Sequence, residues 1–156
     1  MAGRFFDQLC VGDVFHHEIR KTITESDNSW FCGATYNPAQ IHIDAEYCVN
    51  TEFGKPLVNS VFTLGLVVGV SVQDTTLGTT VANLGFSDVT FPNPVFTGDT
   101  VRSVTTVVET RKSKSRPNVG IVTFRHEGFN QRDELVCRCS RQAMMLFSLD
   151  AQSTAQ

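Results

Sequence analysis

The run LVNSVFTLGLVVGVSV, residues 57–72, limits the fold more than any other stretch. It is shorter than the roughly 20 consecutive apolar residues that a bilayer span requires, and polar residues interrupt it. Read as a helix over residues 60–73, it carries apolar side chains on nearly every face. Such a helix has to be wrapped by protein rather than lie on a surface. Gly65 and Gly69 stand four apart on one side of it and predict a smooth strip where a sheet approaches closely. The rest of the chain must supply the enclosure.

From Thr80 onward the pattern changes to strands. ELVCRCSRQ alternates, with Leu135, Cys137 and Cys139 on one face and Arg138, Ser140 and Gln142 on the other. GIVTFRHEGF and TVRSVTTVVET read as two further strands, joined by the polar RKSKSRPNV. Upstream, CVGDVFHHEIRKTIT reads as a strand after a Gly-Asp turn. Thr24, three residues before Asp27, makes a capping-box start for a short helix through ESDNSWFCGAT. Pro38 ends that helix, because it disfavours helical geometry in Asn37. Asp44 can cap another over AEYCVNTEF, stopped by Gly54 and Pro56. Strand, helices, then a run of antiparallel strands predict an α+β domain, a curled antiparallel sheet around one long central helix. The expected organisation is a single domain over 1–156, with 146–156 as a flexible tail. A single sheet leaves exposed edges, so a homodimer or higher even oligomer that extends it is expected.

At 156 residues, 41% hydrophobic and 19% charged, the chain has ordinary globular composition. A net charge of −3 leaves no basic excess to neutralise phosphates, so a general nucleic-acid binder is excluded, and no membrane span is expected. The five cysteines (10, 32, 48, 137, 139) form no CxxC pair. With no secretory signal in MAGRFFDQLC, they predict free thiols in a reducing cytoplasm. There is no P-loop and no GxGxxG, and no His/Cys/Asp spacing that suggests a metal.

Polar chemistry gathers in YNPAQIHID, residues 36–44. His42 can take and return a proton near neutrality, although a lone histidine is more often structural than catalytic. It lies between a proline turn and the Asp44 cap, with Asn37 five residues upstream, so one loop can aim both side chains at one spot. His16, His17 and His126 read as solvated surface. In PLVNSVF, residues 56–62, the backbone N–H of Ser60 or Val61 at the helix start can hold a developing oxyanion. A plain cap by Asn59 or Ser60 explains the same residues equally well. In RKSKSR the cations Arg111, Lys112, Lys114 and Arg116, with Ser115 among them, suit a phosphorylated ligand; a soluble hairpin turn is the alternative.

These blocks resemble the MaoC-type hydratases, hot-dog-fold enzymes that add water to 2-enoyl-CoA thioesters. The resemblance is carried by GRFFDQLCVGDVF, TESDNSWFCGATYNPAQIHIDAEYC, FGKPLVNSVFTLGL, ANLGFSDVTFPNPVFTGDTV and RKSKSRPNVGIVTF, and so covers most of the chain. In detail it is similar to the branch acting on C5 branched dicarboxylic acyl-CoAs, the mesaconyl-CoA, β-methylmalyl-CoA and itaconyl-CoA hydratases. The resemblance implies a hot-dog dimer with sites near the subunit interface, and coenzyme A as part of the substrate with no further cofactor. The family motif is Asp-x-Asn-Pro-x-His, with aspartate and histidine as the catalytic pair. Here Asn37 stands five before His42, where the aspartate is expected. Asn37 can orient water but cannot hold its proton. His42 would then make both proton transfers, with the Ser60 N–H, where the family has a glycine, on the thioester oxygen. Residues 111, 112, 114, 115 and 116 would bind the CoA phosphates; Arg4, Arg20, Lys21 and Lys55 are candidates for an acyl carboxylate. Two other readings share the fold. A thioesterase wants a carboxylate near the helix, and residues 57–73 contain none. An acyl-CoA-binding protein or inactive partner subunit is made possible by Asn37.

Overall fold

The computed structural model describes residues 3–149. Five strands, β1 (Val14–Thr22), β2 (Thr80–Thr90), β3 (Thr100–Lys112), β4 (Val119–Phe129) and β5 (Leu135–Leu146), form one antiparallel sheet in the order β1-β3-β4-β5-β2. Between β1 and β2 lie three short helices, α1 (Glu25–Ala34), α2 (Gln40–Ile43) and α3 (Ala45–Val49), and then the long α4 (Ser60–Thr75). The local signals hold. Thr24 and Asp27 close a capping box on α1, Asp44 caps α3, and Asn59 caps α4. No helix among the described residues is long and apolar enough to cross a membrane, and the five cysteines are unpaired.

α4 lies against the concave face of the sheet and buries Thr63, Val67, Val70, Ser71 and Thr75, a single stripe at helical spacing. Facing it are the alternate residues Val101, Ser103, Thr105 and Val107 of β3, Phe124, His126 and Gly128 of β4, and Cys137 and Cys139 of β5. One chain therefore covers one side of the helix and no more. Val61 remains 58% exposed. The glycine strip is a correction: Gly65 and Gly69 face away from the sheet, and a side chain at either would meet no atom within 4 Å. The close approach is made instead by Gly128, where an added Cβ would overlap the side chain of Val67.

Three further expectations change. His17 and His126 are not on the surface; they are buried, on the strand faces that look at α4, and are hydrogen-bonded there as buried polar groups must be. The expected tail is pinned at its start. Leu146 ends β5, Phe147 packs on Phe6 with ring centroids 4.7 Å apart, and the Ser148 N–H donates to Asp7 at 2.7 Å. Only the part over 150–156 lies outside the described residues. The helix expected after Asp44 stops at Val49, before Gly54 and Pro56 are reached.

On β2 every residue but Ala82 is exposed, including Val81, Leu84, Phe86 and Val89. The Gly128 contact gives a direct test of the helix–sheet packing. Gly128→Ala should lower unfolding free energy by about 1–3 kcal/mol, read as a lower urea midpoint at unchanged slope.

Candidate active site

The site forms where three elements meet at the start of α4. Tyr36 turns the chain at φ 54, and the Asn37 amide oxygen accepts the Ala39 N–H at 3.0 Å, so the segment before α2 is a tight side-chain-closed turn. α2 then presents His42, half-buried, whose Nδ1 lies 3.0 Å from the carbonyl oxygen of Leu57. A carbonyl can only accept, so Nδ1 carries a proton, and in the neutral ring the lone pair lies on Nε2. His42 borders a cavity of about 390 Å³. Its walls are apolar, from Phe53 and Leu57 on one side to Phe91, Pro92 and Val95 on the other. Ser60, Thr63 and Asn93 are its remaining polar lining residues, and no carboxylate among the described residues lines it.

At the helix start, the Asn59 Oδ1 accepts the Val61 N–H at 2.9 Å, which removes Val61 as an anion donor. The Ser60 N–H has no hydrogen-bond partner among the described residues, and Ser60 borders the cavity. The cap and a free donor thus coexist on neighbouring residues.

One buried amide joins these pieces. Asn28, in α1 and only 2% exposed, donates through Nδ2 to the carbonyl oxygens of His42 (3.0 Å) and Leu57 (3.1 Å), while its Oδ1 accepts the Asn59 N–H (2.9 Å). The histidine, the carbonyl that fixes its tautomer, and the helix cap hang on one side chain. Nothing in the motif reading singled it out. Its one signal is the poor helix propensity of an asparagine inside a short helix. Asn93 was missed as well; its Nδ2 donates to the Leu135 carbonyl at 2.9 Å and closes the far wall.

The structure does not bring every expected residue here. Asn37 shares the loop with His42 but does not line the cavity, because its oxygen is spent on the turn. Arg111, Lys112, Lys114, Ser115 and Arg116 are exposed at the β3–β4 hairpin. That hairpin pairs with the end of β5 at Leu146, while the cavity touches its start at Val136, so ~10 residues or roughly 33 Å of strand separate them within one chain. Of the four other cations, Arg4 borders a separate cleft, Arg20 sits on the β1 edge, and Lys21 is held by Asp27 at 2.8 Å. Lys55 alone is close by, 4.3 Å above the ring of Phe96, next to the cavity residue Val95.

The family described as "MaoC like domain" matches residues 8–128. This chain belongs to the MaoC-like domain family. Curated relatives include a mesaconyl-CoA hydratase of Cereibacter sphaeroides, 31% identical over 92% of this chain and 41% of that protein. A β-methylmalyl-CoA dehydratase of Chloroflexus aurantiacus is 27% identical over 92% of this chain and 40% of that protein. This MaoC-like domain thus spans about two-fifths of the length of those relatives. Among solved structures, a monoamine oxidase regulatory protein from Archaeoglobus superposes with TM-score 0.83 at 29% identity, covering 95% of this chain and 97% of that one. A Mycobacterium tuberculosis protein with a double hot-dog fold gives 0.86 at 26% identity, covering 95% and 46%. The curled sheet around α4 is a hot-dog fold, as the resemblance implied.

If Asn28 holds the site together, removing its amide must cost more than a surface change. Asn28→Ala leaves the His42 carbonyl and the Asn59 N–H without their side-chain partner and the Leu57 carbonyl with His42 Nδ1 alone, and should lower unfolding free energy by about 2–3 kcal/mol in urea titration.

Proposed function

We propose that this MaoC-like domain catalyses reversible hydration of a short 2-enoyl-CoA thioester, with a branched, carboxylated acyl group as substrate. The observation that carries the reading is the His42 ring: Nδ1 is fixed by the Leu57 carbonyl, so Nε2 is a ready base at the rim of an apolar cavity. In the hydration direction, Nε2 takes a proton from water as the oxygen bonds to Cβ. The C=C electrons pass to the thioester oxygen, which the Ser60 N–H stabilises as an enolate. The imidazolium then returns the proton to Cα, so one residue serves both steps and the water is added complete. Asn37 is assigned the orienting of the water through its Nδ2, from the turn before α2 rather than from the cavity lining. No carboxylate lines the cavity, which favours hydration over thioester hydrolysis. The dicarboxylic branch rests on the names of the relatives, and Lys55 is the cation placed to meet a distal carboxylate.

The CoA phosphates need the basic hairpin, and a second copy supplies it. The exposed apolar edge β2 has Thr80 at the hairpin end of the sheet, paired with Met145, and Thr90 at the cavity end, paired with Arg138. A two-fold pairing of β2 with its own copy is antiparallel and reverses those ends. It therefore carries the basic hairpin of the second copy toward this chain's cavity. No metal or redox cofactor takes part in the scheme, and the free thiols suit a reducing cytoplasm.

Enoyl-thioester absorbance, followed with mesaconyl-CoA, itaconyl-CoA and crotonyl-CoA, tests the reading. A dicarboxylic substrate should turn over, and His42→Ala should reduce kcat by about 10²–10⁴-fold. Turnover of crotonyl-CoA alone would remove the branched-diacid assignment. Binding of all three with turnover of none would instead make this an acyl-CoA-binding domain.

A further inference from the structure

Two Asn-Pro pairs occur in this chain, Asn37-Pro38 and Asn93-Pro94, and the fold uses them in opposite ways. Asn37 closes its own turn: its Oδ1 accepts the N–H of Ala39, two residues on, at 3.0 Å. The matching bond, from the Val95 N–H to Asn93 Oδ1, is not made among the described residues. Asn93 Nδ2 instead donates across to the Leu135 carbonyl at the start of β5, at 2.9 Å. A carbonyl only accepts, so this contact fixes which end of the amide is nitrogen and leaves Oδ1 as the unpartnered end. That oxygen is unpartnered without being sealed in. Asn93 is half-buried and lines the cavity, so its oxygen is open to what enters there.

The backbone of Asn93 is held as firmly as its amide. Prolines flank it at 92 and 94, and a residue before proline is confined to extended geometry. Its segment runs antiparallel beside the one that anchors His42. The Val58 N–H donates to the Val95 carbonyl at 2.8 Å, and Leu57, whose carbonyl holds His42 Nδ1, bridges Phe96. Two residues on from the Val58–Val95 bond, in the same direction, stand Ser60 on one segment and Asn93 on the other. Both line the cavity with His42. At about 390 Å³, roughly a dozen water volumes, that cavity has room for a short acyl group and a water together.

Resting on the hydration reading above, we propose that Asn93 Oδ1 holds the attacking water and then the β-hydroxyl of the product. Water carries two hydrogens. One passes to His42 Nε2 and on to Cα. The other stays on the oxygen as that oxygen bonds to Cβ, and it needs an acceptor in a cavity with apolar walls. The other polar lining groups are placed differently. The Ser60 N–H serves the thioester oxygen in this scheme, and the Thr63 hydroxyl is turned to the Asn59 carbonyl at 3.4 Å. Asn37 Nδ2 is a donor, so it can meet a lone pair of the water but cannot take that hydrogen. Asn93 Oδ1 is an acceptor with a fixed amide behind it. It separates the two sides of the reaction, because water and the 3-hydroxyacyl thioester offer it a hydrogen and the enoyl group does not.

Titration calorimetry on the whole chain tests this, with His42→Ala present to silence turnover. The ligands are two pairs, 3-hydroxybutyryl-CoA against butyryl-CoA and β-methylmalyl-CoA against the saturated acyl-CoA of its skeleton. With Asn93 in place, the hydroxylated member of a pair should bind about five- to tenfold tighter. Adding Asn93→Leu should abolish that preference and leave the saturated ligand within about twofold. With His42 intact, Asn93→Leu should lower kcat for hydration by about tenfold or more at nearly unchanged KM, since the enoyl group makes no bond to Asn93. Should Asn93→Leu not fold, crystals of the His42→Ala protein with a hydroxylated ligand should place its hydroxyl within hydrogen-bond distance of Asn93 Oδ1. No preference in either pair, a preference or a kcat that persists in Asn93→Leu, or a hydroxyl bonded elsewhere would overturn the contact. Absence of turnover in the unaltered chain would remove the hydration reading instead, and a hydroxyl preference lost in Asn93→Leu would still establish the contact.

Discussion

The three hydrogen bonds of the Asn28 amide are the constraint on which the site depends. They join α2, the segment at Leu57 and the cap of α4, beside the bonds of the Leu57 N–H to the Ile41 carbonyl and of His42 Nδ1 to the Leu57 carbonyl. The partner in each is a backbone group: the His42 and Leu57 carbonyls accept from Nδ2, and the Asn59 N–H donates to Oδ1. Positioning therefore does not depend on flexible side chains meeting one another. The consequence reaches the chemistry in two steps. Leu57, fixed by Asn28, fixes the His42 tautomer; Asn59, fixed by Asn28, occupies the Val61 N–H and leaves that of Ser60 to face the cavity. The His42 ring and the Ser60 N–H are thereby positioned through one amide.

The rest of the fold serves to hold the start of α4 in place. The sheet contacts one stripe of the helix, and its glycine at 128 admits Val67 where a larger residue would push the helix away. Polar groups are admitted into that core only in linked sets, as with His17, Thr105 and His126. Both the unfilled side of α4 and the exposed apolar edge β2 are left by the same geometry, since five strands curl around part of a helix and end. An assembly that adds a second sheet at β2 would supply cover and, by reversing the strand, bring the basic hairpin to the cavity.

Much of this was legible because local signals are strong where they are local. The Thr24–Asp27 box, the Asp44 and Asn59 caps and the alternation in β5 each act within a few residues, and each is where the sequence put it. The setting of His42, between a proline turn and the Asp44 cap, is equally local, and the residue borders the cavity. What could not be read involves partners far apart in the chain. Asn28 meets Leu57 across 29 residues, and His17 meets Thr105 across 88, so neither shows as a pattern. Gly65 and Gly69 misled because a four-residue spacing identifies a face of the helix without saying which face meets the sheet. The MaoC-type resemblance pointed rightly to the fold. It also drew attention to Asn37, whose oxygen closes the turn before α2.

The central claim is that one imidazole nitrogen moves both protons. Hydration run in D2O, with the product configuration at Cα and Cβ read by NMR, tests it most directly. A single base on one side of the substrate predicts that hydroxyl and deuterium arrive on the same face of the double bond. Addition to opposite faces would contradict the account, because it requires a second acid that the cavity's lining does not contain.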